Sequence, residues 1–138
     1  LETARHRARL WLLQAEDDLR AAQLLQRGQQ AAQACFLAQQ VGEKAIKALL
    51  AADDRDLRSH SLLALLRELD DQSAERWRRQ ARVLDKLYAP TRYPDALGDD
   101  LPAEVFGPED ASAALAAATE LLGWATDQLQ RGDSLTGA

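Results

Sequence analysis

Apolar positions recur every three to four residues along most of the chain, the period of amphipathic helices, and nowhere alternate in the two-residue period of a strand. In "ARLWLLQAEDDLRAAQLLQRG", Ala8, Leu12, Ala15, Leu19, Ala22 and the Leu24/Leu25 pair form one stripe, with Gly28 placed as the C-terminal cap. From Gln29 to about Ala52 the stripe is Ala34, Ala38, Val41, Ala45 and Leu49, widened by Cys35, Ile46 and Leu50. The period breaks in "DDRDLRSHS", where Ser59 or Ser61 can accept the first backbone N–H groups of a short helix, "LLALLRELD". "DQSAERWRRQARVLDKLYA" then predicts a long helix with Ser73 as N-cap and Trp77, Ala81, Leu84, Leu87 and Tyr88 buried, ending before Pro90. A last helix opens at "PED", where proline and two acids suit a helix N-terminus, and runs to Gly132. The expected architecture is all-α: an up-and-down bundle of four long helices plus one short helix, with a proline-rich loop before the last. One domain over residues 1–138 is expected, with its core at about 8–131 and a frayed tail at 132–138.

Two features of the second helix stand out. Gly in a helix interior costs about 1 kcal/mol relative to Ala, so Gly42 calls for a packing reason, a close helix approach within the bundle or across a subunit interface. Phe36 and Leu37 lie beside an already apolar stripe, so this helix is apolar on more than one side, which predicts a homodimer.

Helical patterning stops in "LYAPTRYPDALGDDLPAEVFGPED", Leu87–Asp110, which holds all four prolines. Connections this long are usually functional or disordered. The prolines push Ala89 and Tyr93 towards extended backbone, so Arg92 is held between restricted residues. Its guanidinium suits a bidentate phosphate contact, and Tyr88 or Tyr93 offers a face on which a base can stack. The same two positions also serve a purely structural arm, with Arg92 on helix carbonyls and Tyr93 over the core.

Composition narrows the function. The net charge of −5 argues against a general nucleic-acid binder. It hides an asymmetry, because residues 1–92 hold 16 basic against 13 acidic side chains and residues 93–138 hold one against nine. The basic part is densest in "ERWRRQAR", where Arg76, Arg79 and Arg82 at three-residue spacing form either a solvated face or a phosphate-facing patch. The lone Cys35 excludes a disulfide framework within the chain and reads as a small core residue. With no apolar run of membrane-spanning length and no signal-peptide pattern, the cytoplasm is the expected compartment and no membrane partner is implied. The chain holds no methionine and begins at Leu1, so its native start is expected to lie outside it.

Three short pieces in this order resemble the HEPN family, the higher eukaryotes and prokaryotes nucleotide-binding domain: "QxxEKxxKA" at Gln40–Ala48, "SHSL" at Ser59–Leu62 and "TRYPD" at Thr91–Asp95. The resemblance covers nearly the whole chain. It implies a helical bundle that dimerises, is often encoded beside a minimal nucleotidyltransferase in a toxin–antitoxin-like pair, and in several branches acts as a metal-independent endoribonuclease. No cofactor is implied.

Read as chemistry, Glu43 and Lys47 stand at i, i+4 with the acid first, the favourable order for a helical ion pair. They either decorate a helix or join Arg92, Tyr93 and Tyr88 in holding a nucleotide or partner. His60 can move a proton near neutral pH or simply bond a neighbouring loop. The resemblance implies, for a ribonuclease, Arg followed four to six residues later by His near the last long helix. Positions Leu97, Gly98 and Asp99, counted from Arg92, hold no histidine, whereas "RDLRSH" from Arg55 to His60 fits the spacing in a different connection. There is no Gly-rich phosphate loop, no metal cluster and no Ser, His and Asp set. Two functions remain: a nucleotide- or RNA-binding module, and a metal-independent endoribonuclease in which His60 supplies acid/base chemistry and Arg55 or Arg92 stabilises the phosphorane.

Overall fold

The computed structural model describes residues 2–91, 93 and 98–135, and its described residues form seven helices and no strand. They are α1 (Glu2–Arg27), α2 (Ala31–Ala52), α3 (Leu62–Leu69), α4 (Asp71–Arg76), α5 (Arg78–Asp85), α6 (Pro102–Val105) and α7 (Pro108–Leu135). The up-and-down bundle of the sequence pattern is present, with α2 at its centre against α1, α3, α5 and α7.

Small side chains set the spacing. Ala8, Ala15 and Ala22 of α1, Ala34, Ala38, Ala45 and Ala48 of α2, and Ala111, Ala114, Ala118 and Ala125 of α7 are all buried, so three helix backbones approach closely. Leucine fills the gap towards the shorter helices through Leu62, Leu65, Leu66, Leu84 and Leu121. Gly42 belongs to this contact: a Cβ there would stand 2.6 Å from Leu62 Cδ2 and 2.7 Å from Leu84 Cδ1. The crossing at Gly42 is therefore inside the chain. Of the two residues that widen the apolar side of α2, Leu37 packs against the core and Phe36 is half-buried.

Several boundaries differ from the pattern. The left-handed residue after α1 is Gln29 (φ 63°), not Gly28, because the Gln30 N–H reaches the Leu25 carbonyl and the Gln29 N–H that of Gln26, a Schellman closure. A second such closure at Asp54 (φ 57°) ends α2. The helix expected to start at Ser73 is capped instead by Asp70, whose carboxylate accepts the Ser73 N–H at 2.6 Å and outcompetes a hydroxyl at the positive helix end. That helix is two, α4 and α5, interrupted at Trp77, and it ends at Asp85 before turns through Thr91. The proline segment contains one short helix, α6, and Phe106 beyond it packs on the core. At the other end α7 passes Gly132 to Leu135.

Cys35 is fully buried, and burial, with the Asp110 charge adding, pushes its thiol up to about 11. A pKa above the unfolded value means that the folded state holds this proton more tightly. The stability it contributes is complete below the unfolded pKa of about 8.5 and is lost as pH rises through about 11. Cys35 is expected to resist aromatic disulfide reagents at pH 8 in the native protein and to react fully in denaturant. Rapid native reaction would show that the α2 face opens.

Candidate functional site

The site grows from α2. Residues four apart on a helix share a face, so Gln39, Glu43 and Lys47 line one edge of this central helix. Glu43 is 4% exposed, and three donors surround its carboxylate. Lys47 Nζ donates to Oε2 at 3.0 Å, Gln39 Nε2 lies 3.4 Å from Oε1, and His60 Nδ1 lies 3.1 Å from Oε1. Gln39 also donates to the His60 carbonyl at 3.0 Å and accepts from Gln40, so it fixes both the histidine backbone and the carboxylate. Lys47 sits 5.4 Å from the centre of the Trp11 ring, a cation–π contact with α1. Beside it, Lys44 pairs with the buried Asp18, which also accepts from Gln14.

His60 is delivered by the connection before α3, and the start of that helix is held by α5. Ser61 caps α3 by accepting the Ala64 N–H, and Asp85 accepts from the Leu62 N–H at 2.6 Å, the Leu63 N–H at 3.3 Å and the Ser61 hydroxyl at 3.2 Å. Three residues beyond Asp85, Tyr88 stacks on the imidazole with ring centroids 4.3 Å apart and planes 17° from parallel. One turn of chain therefore locks the loop backbone and supports the ring.

These bonds dictate the histidine tautomer. A carboxylate only accepts, so Nδ1 donates to Glu43 and the lone pair of the neutral ring lies on Nε2. Nε2 takes no hydrogen bond from a described residue, and the His60 side chain is 60% exposed. The cluster is thus a buried, internally neutralised ion pair with one aromatic group at its surface.

The remaining sequence candidates are placed as follows. Arg55 donates to the Glu68 carboxylate at 2.8 Å and to the Glu68 carbonyl near the C-terminus of α3, whereas His60 lies before its N-terminus. The two ends of an eight-residue helix are about 10 Å apart along the axis, so Arg55 and His60 are not brought together. The helix break at Trp77 separates Arg76, which lies over the Trp77 ring at 5.1 Å, from Arg79 and Arg82 on α5. Arg79 and Arg82 are exposed and make no ion pair with a described residue, while Arg78 pairs with Glu75. Tyr93 is 45% exposed and donates its N–H to the Ala89 carbonyl at 3.1 Å. Arg92 lies outside the described residues.

Sequence reasoning missed Gln39 and Asp85, and both carried a signal. Gln39 is the polar residue one turn before Glu43 on the same helix edge, so the buried element of the motif starts one residue earlier than "QxxE". Asp85 is an acid at the C-terminal end of a helix, where the macrodipole disfavours it. Such a placement points to a tertiary task. Among the described residues, no group of His, Cys, Asp and Glu could hold a metal ion, and no helix is long and apolar enough to cross a membrane.

Fold and site together define an all-α bundle whose central helix carries a buried Glu–Lys pair tethering a surface histidine. The HEPN domain profile matches residues 8–129, and the chain belongs to the HEPN family. Two solved structures agree. TT1696 from Thermus thermophilus is similar at 40% identity and a TM-score of 0.83, over 88% of this chain and 97% of that one. ST0689, described as an archaeal HEPN homologue, is similar at 36% identity and a TM-score of 0.77, over 89% and 98%. Among curated proteins none matches the chain.

Proposed function

We propose that this chain is a non-catalytic HEPN module that binds a nucleotide or RNA where His60 meets Tyr88, forms a homodimer and associates with a minimal nucleotidyltransferase. The observation that carries the reading is the held imidazole: tied by Nδ1 to a buried carboxylate, backed by a stacked ring, and 60% exposed as a side chain. A ring fixed in this way loses little side-chain entropy when a base stacks on it, and Nε2 can accept from an amino or hydroxyl group. Arg79 and Arg82, on the helix that leads into Tyr88, supply positive charge for phosphate. Glu43 and Lys47 serve this site from beneath as supports. The binding reading is favoured over the ribonuclease because no histidine follows Arg92 at the nuclease spacing, and Arg55, the arginine that has that spacing to His60, is held by Glu68 at the far end of α3.

The test is equilibrium binding of a nucleotide panel and a single-stranded RNA, with the RNA also incubated in excess EDTA. Binding that weakens with salt and falls about tenfold or more in His60→Ala is expected, since one stacked base contributes about 1–3 kcal/mol. The RNA is expected to stay intact. Cleavage that disappears in His60→Ala would overturn the module in favour of a metal-independent endoribonuclease. Co-purification with a co-expressed minimal nucleotidyltransferase checks the partner.

A further inference from the structure

We propose that the outer face of α1 is the seam of an antiparallel, two-fold dimer, its occupant being a second copy of this chain. The inference rests on the dimeric part of the function proposed above and names the face that forms it. That face is not the side of α2 marked by Gly42, which is enclosed by Leu62 and Leu84 of the same chain.

Leu13, Asp17, Arg20 and Leu24 follow one another at spacings of four, three and four, so they share a single helix face. It lies opposite the buried Ala8, Ala15 and Ala22 stripe and is solvent-facing throughout: Leu13 is 50%, Leu24 62%, Asp17 69% and Arg20 66% exposed. With Leu10, three of the six exposed large apolar side chains among the described residues stand on this helix. Isolated exposed leucines need no explanation, but these flank an ion pair symmetrically.

The order Leu, Asp, Arg, Leu is its own complement when reversed. A two-fold axis across α1, midway between Asp18 and Leu19, sets Leu13 against the partner's Leu24 and Asp17 against the partner's Arg20, and each contact occurs twice. Asp17 and Arg20 already pair within the chain at 3.2 Å, so association turns two solvated pairs into one four-charge network flanked by leucine contacts. Two competing arrangements carry like charges in contact. A parallel pairing puts Asp17 on Asp17 and Arg20 on Arg20, and an antiparallel pairing centred on Asp17 puts the two aspartates together. Charge therefore favours the antiparallel direction, and the leucine match of Leu13 with Leu24 favours this register.

Sedimentation at tens of micromolar protein provides the test, with circular dichroism confirming that each exposed variant stays folded. Wild type is expected to be a dimer, and Leu13→Glu with Leu24→Glu a monomer. Asp17→Arg and Arg20→Asp are each expected to weaken self-association about tenfold or more, since like charges then face one another across the axis. Mixed in equal amounts, these two variants are expected to form a heterodimer tighter than either homodimer. A monomeric wild type overturns the dimer and this face together. A dimer untouched by the leucine variants, or two charge variants that fail to pair on mixing, overturns the face while leaving the dimer standing.

Discussion

Gly42→Val is expected to lower the melting temperature by about 10 °C, from a loss of about 3 kcal/mol, because the added carbons enter a close contact between α2, α3 and α5. Even the first of them would stand 2.6 Å and 2.7 Å from methyl groups of Leu62 and Leu84. Those methyls are the ends of flexible side chains, yet both leucines are fully buried, and neither can move without displacing other core atoms. Gly42→Ala separates the terms. Removing a mid-helix glycine gains about 1 kcal/mol, crowding loses about 1–3 kcal/mol, and a small net destabilisation is expected. Thermal unfolding by circular dichroism measures both, and a melting temperature unchanged in Gly42→Val would mean that α3 and α5 yield more easily than their burial implies.

Glu43→Ala is expected to be more damaging still. It leaves the Lys47 ammonium, whose side chain is 15% exposed, without its carboxylate and removes the acceptor of Gln39 and His60. Breaking a largely buried ion pair from one side typically costs about 3–5 kcal/mol, mostly as the penalty on the charge left behind. Replacing both partners with apolar residues of similar volume is often neutral or stabilising, so Glu43→Met combined with Lys47→Met is expected to recover most of the loss. The double variant still lacks the bond to His60 Nδ1. Its stability and its nucleotide or RNA binding are therefore expected to separate, with the fold restored and binding reduced about tenfold or more, as for His60→Ala. A double variant that regains full binding would show that Tyr88 and the α3 cap alone hold the ring. One as unstable as Glu43→Ala would show that the pair matters for packing rather than for charge.

The two adjacent residues illustrate how differently sequence features reveal their purpose. Gly42 announced itself by a cost: a helix breaker in the middle of an apolar stripe has to be compensated by contact. Its neighbours Leu62, Leu84 and Leu121 come from three other helices, so no local pattern could name them. Glu43 and Lys47 announced a helical pair at i, i+4, which is local geometry and is present. The burial that turns a surface decoration into the support of a histidine depends on the connection before α3 and the end of α5 arriving at the same edge of α2.

The chain by itself determined the helical class, the long apolar stripes of α1, α2 and α7, the short helix after the polar break and the exclusion of strands from the pattern, because each follows from a period of three to four and from proline and glycine punctuation. It also determined the family, through three short motifs in order. Cap identity went partly astray, since choosing between Ser73 and Asp70 depends on which acceptor meets the backbone N–H groups. Only the tertiary structure decided that Trp77 interrupts a helix, that α2 is the central helix, and that Arg55 and His60 sit at opposite ends of α3. The site is a junction of four elements. Gln39, Glu43 and Lys47 share a helix face, but His60 is seventeen residues from Glu43 and Tyr88 a further twenty-eight along the chain. Periodicity fixes which way a side chain points from its own helix; which distant side chain it meets is set by how closely alanine and glycine let the helices pack.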